Sequence, residues 1–169
     1  MSIESIFNIE LPIVNGVYLA SNNSDLENQS QTNEIFSDKW IKYSKEQMQE
    51  QEKLFQFQKK WYLDLYSFSS EQELKLYLED QEYVLDAGCG LGYKAKWFAD
   101  LSPASTVIGM DYSDAAFVAA EKYNNTKNLF FVKGDIADTK LKDEIISYVS
   151  CDQVIHHTED PHLTMQELS

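Results

Sequence analysis

Glycine stands at every second position from Gly88 to Gly92, directly after the apolar run Tyr83-Val84-Leu85 and an acid, Asp86. A short apolar run bounded in this way reads as a buried strand. Glycine allows left-handed backbone and lets a ligand come close to the main chain, where a side chain at Gly88 or Gly90 would stand in the way. Tyr93 to Leu101 then shows helical spacing, with Trp97, Phe98 and Leu101 on one face. Strand, glycine turn and helix, in that order, open a nucleotide-type site.

The spacing narrows the ligand. A dinucleotide fingerprint needs a small residue at its sixth position, which here is Tyr93, and a P-loop needs Gly-Lys-Ser/Thr, which does not follow. What stands instead is Asp86-x-Gly88-x-Gly90-x-Gly92. A second apolar strand, 106–110, ends at Asp111, 19 residues beyond Gly92 and close to the offset at which a carboxylate meets the ribose of a bound nucleoside. A carboxylate suits a diol because it accepts hydrogen bonds from both hydroxyls, and charge-assisted bonds are the stronger kind. A third strand, 129–132, exits through Gly134-Asp135-Ile136. A fourth, 145–150, leads into Cys151-Asp152-Gln153-Val154-Ile155-His156-His157.

On these four motifs, over residues 83–169, the chain resembles the class I S-adenosylmethionine-dependent methyltransferases of small-molecule type. The resemblance implies an α/β, doubly wound, Rossmann-like sheet with its four strands in spatial order three, two, one, four. The ligand crevice would lie at the carboxyl ends of strands one and four. It implies S-adenosylmethionine as cofactor, with Asp86, Ala87, Gly88, Cys89, Gly90 and Gly92 around its turn. Asp111 and Tyr112 would stand at the ribose, Asp135 would accept from the adenine amino group, and Ile136 would flank the ring. Asp152 and the residues after it would border the methionine part and the acceptor pocket. The implied function is transfer of the sulfonium methyl to an oxygen, nitrogen or carbon of a small molecule, a displacement in which the protein mainly aligns donor and acceptor. A general base is needed only where the acceptor must lose its proton early, and Asp152, His156 and His157 are the candidates. A non-catalytic S-adenosylmethionine-binding or regulatory module is the alternative. Ser147 departs from the pattern, because the family usually carries Asp near the start of this strand. The resembled fold also continues with further strands. The chain therefore reads as truncated after the fourth, which would leave that strand as an edge open to self-association.

At 169 residues the chain suits one domain with a small appendage. A net charge of −14 without a Lys/Arg cluster argues against nucleic acid and favours a small-molecule acceptor. No apolar run reaches membrane-span length and the N-terminus lacks a signal-peptide layout, so no membrane partner and a cytoplasmic location are expected. Cys89 and Cys151 form no disulfide framework. His156 and His157, with His162 nearby, invite a metal reading. Adjacent histidines on an irregular turn are expected to point apart, however, and no His-x-x-x-His spacing supports them, so no metal is expected.

The region before the first motif divides into a hairpin and polar linker (1–33) and a helical lid segment (34–82), ahead of the partial cofactor domain (83–169). Asn15-Gly16 between two apolar runs is the hairpin signal, and 21–33 reads as linker. Residues 45–66 read as a helix with Leu54, Phe57, Trp61, Tyr62 and Leu65 on its inward face, followed by a helix over 71–78 with the capping box Ser70-x-x-Glu73. The aromatic surplus of Trp40, Tyr43, Phe55, Trp61 and Tyr62 suits a pocket lid.

Overall fold

The structure, a computed structural model, describes residues 3–20 and 48–169. The expected linker, the start of the first helix, Trp40 and Tyr43 lie outside the described residues. Six strands form one sheet: β1 (Ile13–Val14), β2 (Val17–Leu19), β3 (Tyr83–Ala87), β4 (Thr106–Asp111), β5 (Leu129–Lys133) and β6 (Tyr148–Ser150), in spatial order β1-β2-β5-β4-β3-β6. The stretch β5-β4-β3-β6 is the expected order three, two, one, four. Its pairs are all parallel, and β6 lies on the far side of β3 from β4. That reversal of direction is what makes a doubly wound sheet, and it opens a crevice at the carboxyl ends of β3 and β6.

The hairpin closes through Asn15 and Gly16, both left-handed at φ 50° and 79°, as a type I′ turn demands. Its second strand runs parallel to β5, with Val17 opposite Phe131, so residues 13–19 extend the same sheet as the glycine motif.

Among the described residues five helices, α1 (Met48–Leu65), α2 (Glu71–Glu79), α3 (Tyr93–Leu101), α4 (Ala115–Lys122) and α5 (Pro161–Glu167), accompany the strands. Period-two alternation divides the strand residues between two cores. Val84, Val107 and Phe131 face Tyr62, Leu74, Leu78, Trp97 and Phe98 from the helices. Leu85, Ile108, Met110 and Val132 face Ile6, Phe7, Ile136 and Leu141. One face is thus covered by α1 to α4, the other by the N-terminal segment and the loops after β5.

Two expectations are corrected. The fourth strand is only Tyr148–Ser150, not 145–150. Ser147 ends the ladder. Its backbone N–H donates to the Tyr83 carbonyl at 3.0 Å, its hydroxyl donates to the same oxygen at 2.8 Å, and that hydroxyl also accepts the Tyr83 N–H at 3.1 Å. With both backbone groups of Tyr83 taken, Ile145 and Ile146 approach as a loop that packs on the second core.

The inward face of α1 is also different. Tyr62 is buried as expected and Trp61 is half-buried, but Leu54, Phe57 and Leu65 are exposed and Phe55 turns inward in their place. Phe55 meets the Tyr93 ring at 5.5 Å, and Tyr62 meets Trp97 at 5.7 Å and Phe98 at 5.5 Å. Lys59 lies on this same face, its ammonium 5.1 Å from the Trp97 ring and 3.4 Å from Glu71. A lysine in the stripe hides it from a hydrophobic template, although its stem packs as well as an apolar chain.

Candidate functional site

The end of β3 runs into a turn that folds back over β4. The N–H groups of Gly88 and Cys89 both donate to the Met110 carbonyl, at 2.8 and 3.0 Å. Gly88, Gly90 and Gly92 are all left-handed, at φ 75°, 51° and 72°, a conformation that would cost other residues energy at each of the three. The turn is thereby held against Asp111. Gly90 N–H donates to Asp111 Oδ2 at 2.7 Å, and Ser113 donates to Oδ1 from its backbone at 2.9 Å and its hydroxyl at 2.6 Å. Buried Ser113 in turn accepts the Ala115 N–H at 3.3 Å, at the start of α4. Each Asp111 oxygen keeps lone-pair capacity beyond these bonds, and the side chain is half-buried, as is Tyr112 beside it.

Asp135 caps its own turn, Oδ1 accepting the Ala137 N–H at 2.9 Å, and Ile136 packs almost wholly into the second core. Asp86 and Ala87 are completely buried, so neither offers surface to a ligand.

The partner of Asp86 is Lys94, whose ammonium lies 3.0 Å from Oδ1 as an ion pair without an aligned hydrogen bond. Lys94 also pairs with Asp152 Oδ2, which accepts from the Ser150 hydroxyl at 3.1 Å. The other oxygen of Asp152 accepts from the Tyr66 hydroxyl. The Tyr62 ring lies 5.7 Å from the Lys94 ammonium, and its hydroxyl is hydrogen-bonded to that of Tyr148. The first turn of α3, the exit of β6 and the end of α1 therefore meet at one cation.

Burial pushes the Asp86 carboxyl up, with Lys94 opposing it. Burial alone would push Lys94 down, but Asp86 and Asp152 together outweigh it and hold the ammonium above the ordinary lysine range. Burial, then the bond to Asp152, raises Tyr66. Burial also raises both thiols, Cys89 with help from Asp111 and Asp86, and Cys151 to about 11, so neither is a thiolate at neutral pH.

Lys94, Tyr66 and Ser150 escaped the reading of motifs. One signal was available: a lysine in the first turn of a helix faces the positive end of the dipole and so needs an anion close by.

His156 and His157 are exposed on a single 3-10 turn, Ile155–His157, with His157 N–H donating to the Val154 carbonyl at 2.8 Å. The expectation that they point apart is corrected: this tight turn brings their ring centroids to 3.9 Å. Among the described residues no group of three or more His, Cys, Asp or Glu could hold a metal ion.

The residues present fit a nucleoside at the Asp111 end of the crevice. There a carboxylate with spare acceptor capacity stands beside a glycine turn whose Gly90 N–H it accepts. Over Gly88 the corner is filled by Val154, whose side chain would overlap any Cβ added to that glycine.

The chain belongs to the methyltransferase-domain family, which matches residues 85–169. It is 30% identical over 87 residues to the malonyl-[acyl-carrier protein] O-methyltransferase of Legionella pneumophila, covering 51% of this chain and 31% of that protein. It is 28% identical over 60 residues to the enzyme of the same name from Bacillus anthracis, covering 36% and 22%. The match therefore spans less than a third of either relative's length. Among solved structures it is similar to the YcgJ protein of Bacillus subtilis, at 23% identity and a TM-score of 0.49, over 58% of this chain and 44% of that one.

Proposed function

We propose that the chain binds S-adenosylmethionine across the carboxyl ends of β3 and β4 and serves methyl transfer to a small-molecule acceptor. One observation carries the reading: the Asp111 carboxylate is held at 2.7 Å against the Gly90 N–H, beside a turn of three left-handed glycines. When bound, the cofactor supplies an electrophilic methyl on a sulfonium.

The chain's residues bind and orient. Asp111 takes the ribose hydroxyls with Tyr112 beside it, while Gly90 and Cys89 bring the main chain toward the ligand and Gly88 and Gly92, packed against Val154 and Phe131, hold the turn in shape. Asp135 and Ile136 stand toward the adenine. Asp86 and Ala87 act from within the core, Asp86 through Lys94. Asp152, fixed by Lys94, Ser150 and Tyr66, borders the acceptor side. Where a proton must be taken, Asp152, His156 or His157 takes it. With Lys94 already paired to buried Asp86, the carboxylates of Asp111 and Asp152 give the crevice a negative balance, which favours a cationic donor over its neutral product.

In this reading the described part of the 34–82 segment, residues 48–82, serves as a lid over the 83–169 unit. The free edge of β6, which among the described residues pairs only with β3, is a place for self-association. Calorimetry with S-adenosylhomocysteine is the test. Saturable one-to-one binding is expected, and its absence in the folded chain would overturn the reading.

A further inference from the structure

We propose that Lys94 is a positioning residue that locks the end of α1 onto the crevice, and so couples cofactor binding to the closure of that helix. The coupling half of this inference rests on the function proposed above; the lock itself does not.

Asp86 is the anchor of the lock. Its carboxylate is fully buried, and Lys94 at 3.0 Å is its ion-pair partner. A buried charge is tolerated only when paired, so the ammonium is pinned to that spot by the fold. Asp152 comes next, because the pinned ammonium takes its Oδ2, as does the Ser150 hydroxyl at 3.1 Å. Two contacts on one oxygen fix the orientation of the carboxylate and turn Oδ1 toward α1, where Tyr66 donates to it. Tyr66 follows the last residue of α1, and its N–H continues the helical pattern to the Tyr62 carbonyl at 3.0 Å. The Tyr62 ring, 4.6 Å from that of Tyr66, also lies within cation–π distance of Lys94, so two successive turns of the helix look onto the same cation.

No other described element makes this link. Beyond it, α1 is held by the hydroxyl–hydroxyl bond of Tyr62 to Tyr148 in β6, by ring and Lys59 contacts to α3 and by the Lys59–Glu71 pair to α2, while its outward stripe of Leu54, Phe57 and Leu65 is exposed. A ligand that perturbs Asp152 therefore perturbs the helix, and the helix, when docked, holds Asp152 in place. Linkage makes the two effects equal.

The test is amide hydrogen exchange across residues 55–66, with and without S-adenosylhomocysteine. Without ligand, Tyr66→Phe should speed exchange in the last turns of α1 by about tenfold and leave β3 and β4 unchanged, since a hydrogen bond to a charged group is lost while the ion pairs remain. Lys94→Met should do the same and also weaken ligand binding, and Lys94→Arg should restore part of both. In the native chain the ligand should slow exchange in α1, and in Lys94→Met it should not. If Lys94→Met fails to fold, Tyr66→Phe still decides: α1 exchange identical to the native chain would overturn the lock. Ligand-induced protection that persists in Tyr66→Phe would overturn the coupling. Should the native chain bind no S-adenosylhomocysteine, the function proposed above and the coupling with it are wrong, while the ligand-free exchange rates still decide the lock.

Discussion

Asp111 holds the glycine turn with the same carboxylate that would meet a ribose. Replacing it with alanine removes the acceptor for Gly90 and for Ser113 together. Asp111→Ala should weaken S-adenosylhomocysteine binding roughly ten- to a hundredfold, the equivalent of about 1.5–3 kcal/mol for bonds to a charged group. Calorimetry on the folded variant would measure it, and unchanged affinity would remove Asp111 from the ribose. Gly88 behaves differently from what its motif suggests. The sequence alone points to a glycine kept bare for the ligand, so that Gly88→Val would cost binding and spare the fold. The structure puts Val154 over Gly88, and the φ of 75° is itself hostile to valine. Gly88→Val should therefore lower stability and binding together, by about 1–3 kcal/mol from overpacking and a similar amount from backbone strain. A variant with native melting but no binding would show that Val154 yields easily. Asp111 was legible because its role follows from spacing along one strand and turn. Lys94 was not, because its meaning depends on Asp152, 58 residues away, and no local pattern joins them.

At the scale of elements, the three strands with continuous apolar runs and the helix after the glycine turn were readable to within a residue, since each carries its own periodicity and punctuation. The fourth strand was not. Ile145 and Ile146 look like strand because they are apolar, and what stops them is a hydroxyl at Ser147 occupying both backbone groups of Tyr83. That device gives a clear expectation. Ser147→Ala should destabilise the chain by about 1–3 kcal/mol, because it strands the Tyr83 N–H inside the protein without an acceptor. Urea denaturation should show a lower midpoint at unchanged slope. An unchanged midpoint would mean that water or the neighbouring ladder replaces the hydroxyl. The α1 face was misread for a related reason. Two stripes interleave along this helix, sharing Tyr62, and the rings of α3 with Glu71 and Tyr148 decide between them. Which of two amphipathic faces is buried is a property of the partner, not of the helix.

For the whole molecule, the titratable groups buried at the two cores and the crevice point in one direction on the alkaline side. Burial lifts Tyr18 to about 12 and Cys151 to about 11, and it raises Tyr62 and Tyr123 as well. Lys94 is raised by its two carboxylates against the opposing effect of burial. In each case the folded protein keeps a proton that the unfolded chain gives up earlier. The stability these groups contribute is thus fully present below the unfolded values, 9.0 for Cys, 10.0 for Tyr and 10.5 for Lys, and is lost as pH rises through the folded ones. Each group that is protonated only in the folded state steepens the loss by about 1.4 kcal/mol per pH unit. Tyr66 is more exposed and adds less. Asp86 carries the same sign into the acid range. Its raised carboxyl takes up a proton more readily in the folded state, so acidification does not unfold the chain through it. Thermal melts followed by circular dichroism should show a nearly constant Tm up to about pH 9 and a steep decline from about pH 10 onward, shallower in Tyr62→Phe. A Tm that stays level through about pH 11 would mean that these hydroxyls and the Lys94 ammonium exchange protons with solvent as freely in the folded chain as in the unfolded one, and that the tyrosine-lined seam between α1 and the sheet is open rather than packed.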